Sequence, residues 1–134
     1  MEVTEADVQR IPPQNVRVPL DEFARVWVEA GHRAAADRDW YASGVSMTCR
    51  WMAHGSIELN GRRLPASAPV TRRKDRAYEE LIEAEVLAAE KLALQRPVPA
   101  WLAERPGWCE AVCATLRWAW RRSGPPPLQV VAAP

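Results

Sequence analysis

The chain predicts a small all-α fold: four main helices in an orthogonal or bundle-like arrangement, with a short hairpin insertion between the second and third. Three observations carry this. Apolar residues recur at helical spacing in four windows, Pro- and Gly-rich stretches punctuate them, and one segment alone, S-I-E-L-N-G-R-R-L-P, alternates as a strand pair does. The 134 residues suit one compact unit able to bury roughly two thirds of its surface without disulfides or metal. The expected division is an extended leader over 1–19, a single helical domain over 20–124 and an extended tail over 125–134.

The leader contains Pro12, Pro13 and Pro19 and no sustained period, so it is expected to lie extended over the surface, held by Ile11, Val16 and Val18. The first helix is expected from Leu20 to about Ala36, with Asp21 and Glu22 in the first turn, where the dipole favours acids. Its buried stripe reads Phe23, Val26, Trp27, Ala30 and Ala34. His32 falls on the polar face.

Asp37 or Asp39 caps a second helix running from Trp40 to His54, which Gly55 is expected to terminate. Trp40, Gly44, Met47 and Trp51 share one side, and Gly44 would let another backbone approach between the two indoles. Beyond it, Asn60-Gly61 is the favoured dipeptide of a type I′ turn. Pairing across that turn opposes Leu59 to Arg62, Glu58 to Arg63 and Ile57 to Leu64. A lone hairpin is marginal in water and must lean on the helices or on a partner. The whole connection from Gly55 to Thr71 is long enough to be functional or mobile.

The third helix is expected from Thr71 or Asp75 to Gln95, with Asp75 as cap and the preceding bases in the loop. Its buried face reads Ala77, Tyr78, Leu81, Ile82, Val86, Ala88, Ala89 and Leu92, and Glu85 falls near the centre of that arc. Leu87 and Leu94 project from the charged side. Pro97, Pro99 and Pro106 then punctuate a short helix bearing Trp101 and Leu102.

The last helix, within Gly107 to Ser123, holds three of the seven tryptophans and two of the three cysteines. Its apolar arc spans roughly 220°, leaving a strip of Glu110, Arg117 and Arg121. That width requires cover on two sides. Either this is the central helix, with Trp118 and Trp120 packed against different neighbours, or one of those indoles lies in an interface.

Composition bounds function. Net charge is +1, so no global field draws the chain to nucleic acid or membrane. Arginine outnumbers lysine, of which only Lys74 and Lys91 are present, as a GC-rich bacterial coding genome would give. The start M-E-V-T-E-A-D carries acids where a signal peptide carries bases, so a cytoplasmic location with reduced thiols is expected. Cys109 and Cys113 form one short pair without the second that a structural zinc site needs, so neither metal nor cofactor is implied.

Three clusters remain. A carboxylate facing a core is costly unless hydrogen-bonded, and Glu85 is expected to accept from a tryptophan indole or an arginine on a neighbouring helix; catalysis on it would need a second polar partner. Arg62, Arg63, Arg72, Arg73, Lys74 and Arg76 place six cations in fifteen residues against one acid, Asp75. They are expected in a solvated loop, with phosphate backbones as the alternative use. Trp118, Trp120, Arg117, Arg121, Leu87 and Leu94 are the candidate partner-binding residues. The function expected is therefore a non-enzymatic interaction or regulatory accessory module acting through the Trp-rich helix on a protein partner or a second copy, as a homodimer. The alternative is a DNA-binding regulator using residues 60–76.

Overall fold

The computed structural model describes residues 2–130 of the chain. It is mainly helical with one small two-stranded sheet, so a strict all-α description does not hold. In chain order, α1 is Glu5–Gln9, a 3₁₀ turn is Pro13–Asn15, α2 is Leu20–Asp37 and α3 is Trp40–Met52. The hairpin strands follow, β1 at Ser56–Leu59 and β2 at Arg62–Pro65. Then come α4 at Glu79–Leu94, α5 at Ala100–Ala103 and α6 at Trp108–Ala119.

The leader is a first correction. Its opening residues are helical because Thr4 and Asp7 form a reciprocal capping box: the Thr4 hydroxyl accepts from the Asp7 amide at 3.1 Å and the Asp7 carboxylate accepts from the Thr4 amide at 2.9 Å. Ile11 and Val16 are buried in the same core as the long helices. The Asn15 amide donates to the carbonyls of Met52 and Ala77, both at 2.9 Å, which ties the leader to the end of α3 and the approach to α4. The far end of the chain also docks. Leu128 is buried, and the Tyr41 hydroxyl donates to the Pro127 carbonyl at 3.0 Å, while the rest of the expected tail, 131–134, lies outside the described residues.

Asp39 caps α3 by accepting from the Tyr41 amide at 2.9 Å. At the other end the left-handed residue is His54, with φ 58°, rather than Gly55. Gly55 serves space instead: a Cβ there would stand 2.6 Å from the Arg50 side chain. Gly44 behaves as its placement between two indoles predicts. A Cβ would meet the Trp108 carbonyl at 2.7 Å and the Ala111 Cβ at 2.9 Å, so α6 crosses α3 backbone against backbone at this point.

Helix α6 packs on both α3 and α4. Trp118 is stacked on Phe23 of α2, with ring centroids 6.2 Å apart and planes 12° from parallel. Trp120, the residue that closes the helix, has Arg17 over its ring at 3.7 Å and donates its indole N-H to Glu83 of α4 at 2.7 Å. Both indoles are buried, at 4% and 3% exposure. The wide arc is thus covered on two sides by the chain's own helices, and truncating either indole to Ala should cost about 3–5 kcal/mol.

Candidate functional site

The hairpin forms in the expected register: Leu59 faces Arg62, Glu58 faces Arg63 and Ile57 faces Leu64. Asn60 and Gly61 supply the two positive φ values, 52° and 76°, that a type I′ turn requires. Alternation puts Ile57, Leu59, Arg62 and Leu64 on one face of the ribbon. Both strands are largely exposed, Leu59 at 55%. The ribbon is held at its root, where the Ala66 amide donates to the Gly55 carbonyl at 3.0 Å and Arg50 donates to the Ser56 carbonyl at 3.2 Å.

Past the hairpin the chain is not a loose loop. Ala66, Ala68 and Pro69 are buried, and a tight turn forms in which the Arg72 amide donates to the Ala68 carbonyl and the Ala68 amide donates to the Arg73 carbonyl. Glu85 holds this turn from below. It is 1% exposed, and its carboxylate accepts the Val70 amide at 2.5 Å, the Thr71 amide at 3.1 Å and the Thr71 hydroxyl at 2.8 Å. The buried placement agrees with helical periodicity, but the expected donors, a tryptophan or an arginine, are replaced by loop backbone. With both oxygens occupied in this way, Glu85 is a structural anchor.

The basic residues sit on what Glu85 anchors. Arg62, Arg63, Arg72, Arg73, Lys74 and Arg76 are all exposed, and Arg73 pairs with Asp75 at 3.6 Å. They precede α4, which begins at Glu79 after an N-terminal residue, Tyr78, with no side-chain cap. Asp75 is therefore not the cap, and Tyr78, placed on the buried face by periodicity, is 50% exposed. Starting the helix at Glu79 and Glu80 keeps every base out of its first turn, the outcome favoured by the macrodipole.

Between α2, α3 and the hairpin lies a cleft of about 410 Å³. Gly31, Ala34 and Ala35 of α2 and Met47 of α3 give it an apolar floor, and Ile57 and Ala66 form the hairpin side. Its polar lining is Ser46, Ser67, Arg50 and Arg72. Arg50 is buried, with its guanidinium 5.2 Å from the Trp27 ring centroid. Burial pulls that guanidinium below its ordinary pKa, with the Asp7 carboxylate opposing. No carboxylate lines the cleft among the described residues. Periodicity reads one helix at a time, so it missed Arg50 and the cleft. The one available signal was Gly31, a mid-helix glycine with no capping role.

The remaining candidates lie on α4 and on α6 and its end. Trp118 and Trp120, expected as candidates for a partner surface, are both covered within the chain. Arg121 pairs with Glu83 at 2.5 Å, beside the Trp120 indole, and Arg117 is exposed on α6. Leu87 and Leu94, seven residues apart and so on one face of α4, are 58% and 79% exposed. All three cysteines are free and buried, and burial pushes Cys109 up to about 12 and Cys113 and Cys49 in the same direction. Among the described residues no group of three His, Cys, Asp or Glu is placed to hold a metal ion, and no helix is long and apolar enough to cross a membrane. No family model, curated protein or solved structure matches the chain.

Proposed function

We propose that the chain is a non-enzymatic, cytoplasmic interaction module that docks an acidic polypeptide segment on the hairpin and the adjoining basic turn. One observation carries this reading: the ribbon stands away from the core with Leu59 more than half exposed, and exposed cations flank it on the strands and on the turn that Glu85 anchors. A two-stranded ribbon also leaves the outer edge of each strand unpaired, which suits a segment that adds as a strand or lays an apolar side across it. Charge complementarity selects acidic partners. The Trp-rich α6 packs against α3 and α4, the helices whose Arg50 and Glu85 hold the root of the ribbon and the basic turn.

A DNA-binding use of residues 60–76 rests on the same exposed cations. The near-neutral net charge favours the polypeptide. Site-specific photocrosslinking in the native host separates them, with the crosslinking side chain placed at Leu59 and, as a control, at Leu87. The reading expects polypeptide adducts at position 59, mapping to acidic segments, with few at 87. Adducts made only to nucleic acid, or equal yields at both positions, would overturn it.

A further inference from the structure

We propose that the cleft beneath the hairpin is a binding site for a small amphipathic anion, of the class of medium-chain carboxylates. At about 410 Å³ it falls within the range of small-molecule sites and has their usual make-up, an apolar floor with a few polar groups. The charged lining is one-sided: Arg50 and Arg72 are present and no Asp or Glu among the described residues. Arg72 lies where α4's Glu85 fixes the chain, since the carboxylate accepts from the two residues before it. An acyl chain would lie along Gly31, Ala34 and Met47 with its carboxylate toward Arg72.

Gly31 is the independent observation. It sits in the interior of α2, where glycine costs about 1 kcal/mol relative to alanine. Neither backbone nor packing demands it, because its φ is not positive and a Cβ built there meets no atom within 4 Å. A Cβ there would stand in open space, and Gly31 lines the cleft. The floor residues Gly31 and Ala34 belong to neither the ribbon nor the basic turn, so a floor variant separates the two functions.

The test is a calorimetric titration of the full chain with decanoate, and with decanol as the uncharged analogue, supported by thermal melts. One decanoate per chain is expected, with decanol at least tenfold weaker and a rise in Tm of about 8 °C at a hundredfold excess over Kd. Gly31→Leu fills the floor and should weaken decanoate at least tenfold, and Ala35→Met, also in the lining, serves the same purpose if the first variant does not fold. Arg72→Ala should remove most of the preference for decanoate over decanol. No decanoate binding up to millimolar concentration, equal binding of the two ligands, or unchanged affinity in a folded cleft-filling variant would overturn the proposal. Photocrosslinking at Leu59 in the Gly31→Leu protein reads the docking surface separately, because Gly31 is no part of the ribbon or the basic turn.

Discussion

Replacing Glu85 tests how the basic turn is held. The carboxylate accepts two backbone amides and one hydroxyl from Val70 and Thr71 at 2.5 to 3.1 Å while 1% exposed. Glu85→Leu keeps roughly the same volume and removes every acceptor. Each stranded buried amide costs about 1–3 kcal/mol, and the Thr71 hydroxyl can turn to solvent at little cost. The sum is about 3 kcal/mol, since the turn is near enough to the surface for partial rehydration, which corresponds to a fall in Tm of about 10 °C. Glu85→Gln keeps one carbonyl oxygen but turns an N-H₂ toward the donors, and should cost about half as much. Urea denaturation measures the stability, and amide exchange of Val70 and Thr71 measures the turn. A Glu85→Leu protein as stable as wild type, with unchanged protection at those amides, would refute the anchoring role.

Two glycines should respond oppositely to the same substitution. Gly44→Ala should destabilise by about 2 kcal/mol despite better helix propensity, because the added Cβ meets the Trp108 carbonyl at 2.7 Å. Gly31→Ala should stabilise by about 1 kcal/mol in the same denaturation assay, as its Cβ meets nothing. Glu83 sets a pH dependence: the Trp120 indole N-H, and then Arg121, hold its carboxyl below the ordinary value. A depressed carboxyl contributes stability that is present above the unfolded pKa and disappears as pH falls through the folded one. Glu83→Gln should therefore flatten the acid limb of the stability profile below about pH 4.5 and leave the slope near neutrality unchanged.

What the sequence made legible was local or periodic. The hairpin register followed from Asn60-Gly61, because a type I′ turn needs positive φ at both positions and fixes the pairing on either side. Glu85's burial and Gly44's close contact followed from helical spacing, as did the width of α6's apolar arc. What covers that arc was not legible, since Arg17, Phe23 and Glu83 all lie far from α6 in the sequence. Helix α1 was missed because five residues are too few to show a period, although Thr4 and Asp7 carried the capping signal. The start of α4 was misplaced because Asp75 resembles a cap, whereas the chain delays the helix until acids replace bases. Glu85's donors were unreadable for a different reason: two of the three are backbone amides of an irregular turn, to which side-chain identity gives no clue. The cleft draws on two helices, the hairpin and the turn, so it appears only when the chain is folded.

Amide chemical-shift mapping tests the interaction surface most directly. The ¹⁵N-labelled chain is titrated at physiological salt with an alternating Glu-Leu peptide and, separately, with a short DNA duplex. The docking reading predicts saturable shifts across residues 57–64 and 66–76 with the peptide, little change at Leu87, Leu94 and Arg117, and a far weaker response to the duplex. Shifts centred on α4 or the end of α6, or an equal response to duplex and peptide, would contradict it.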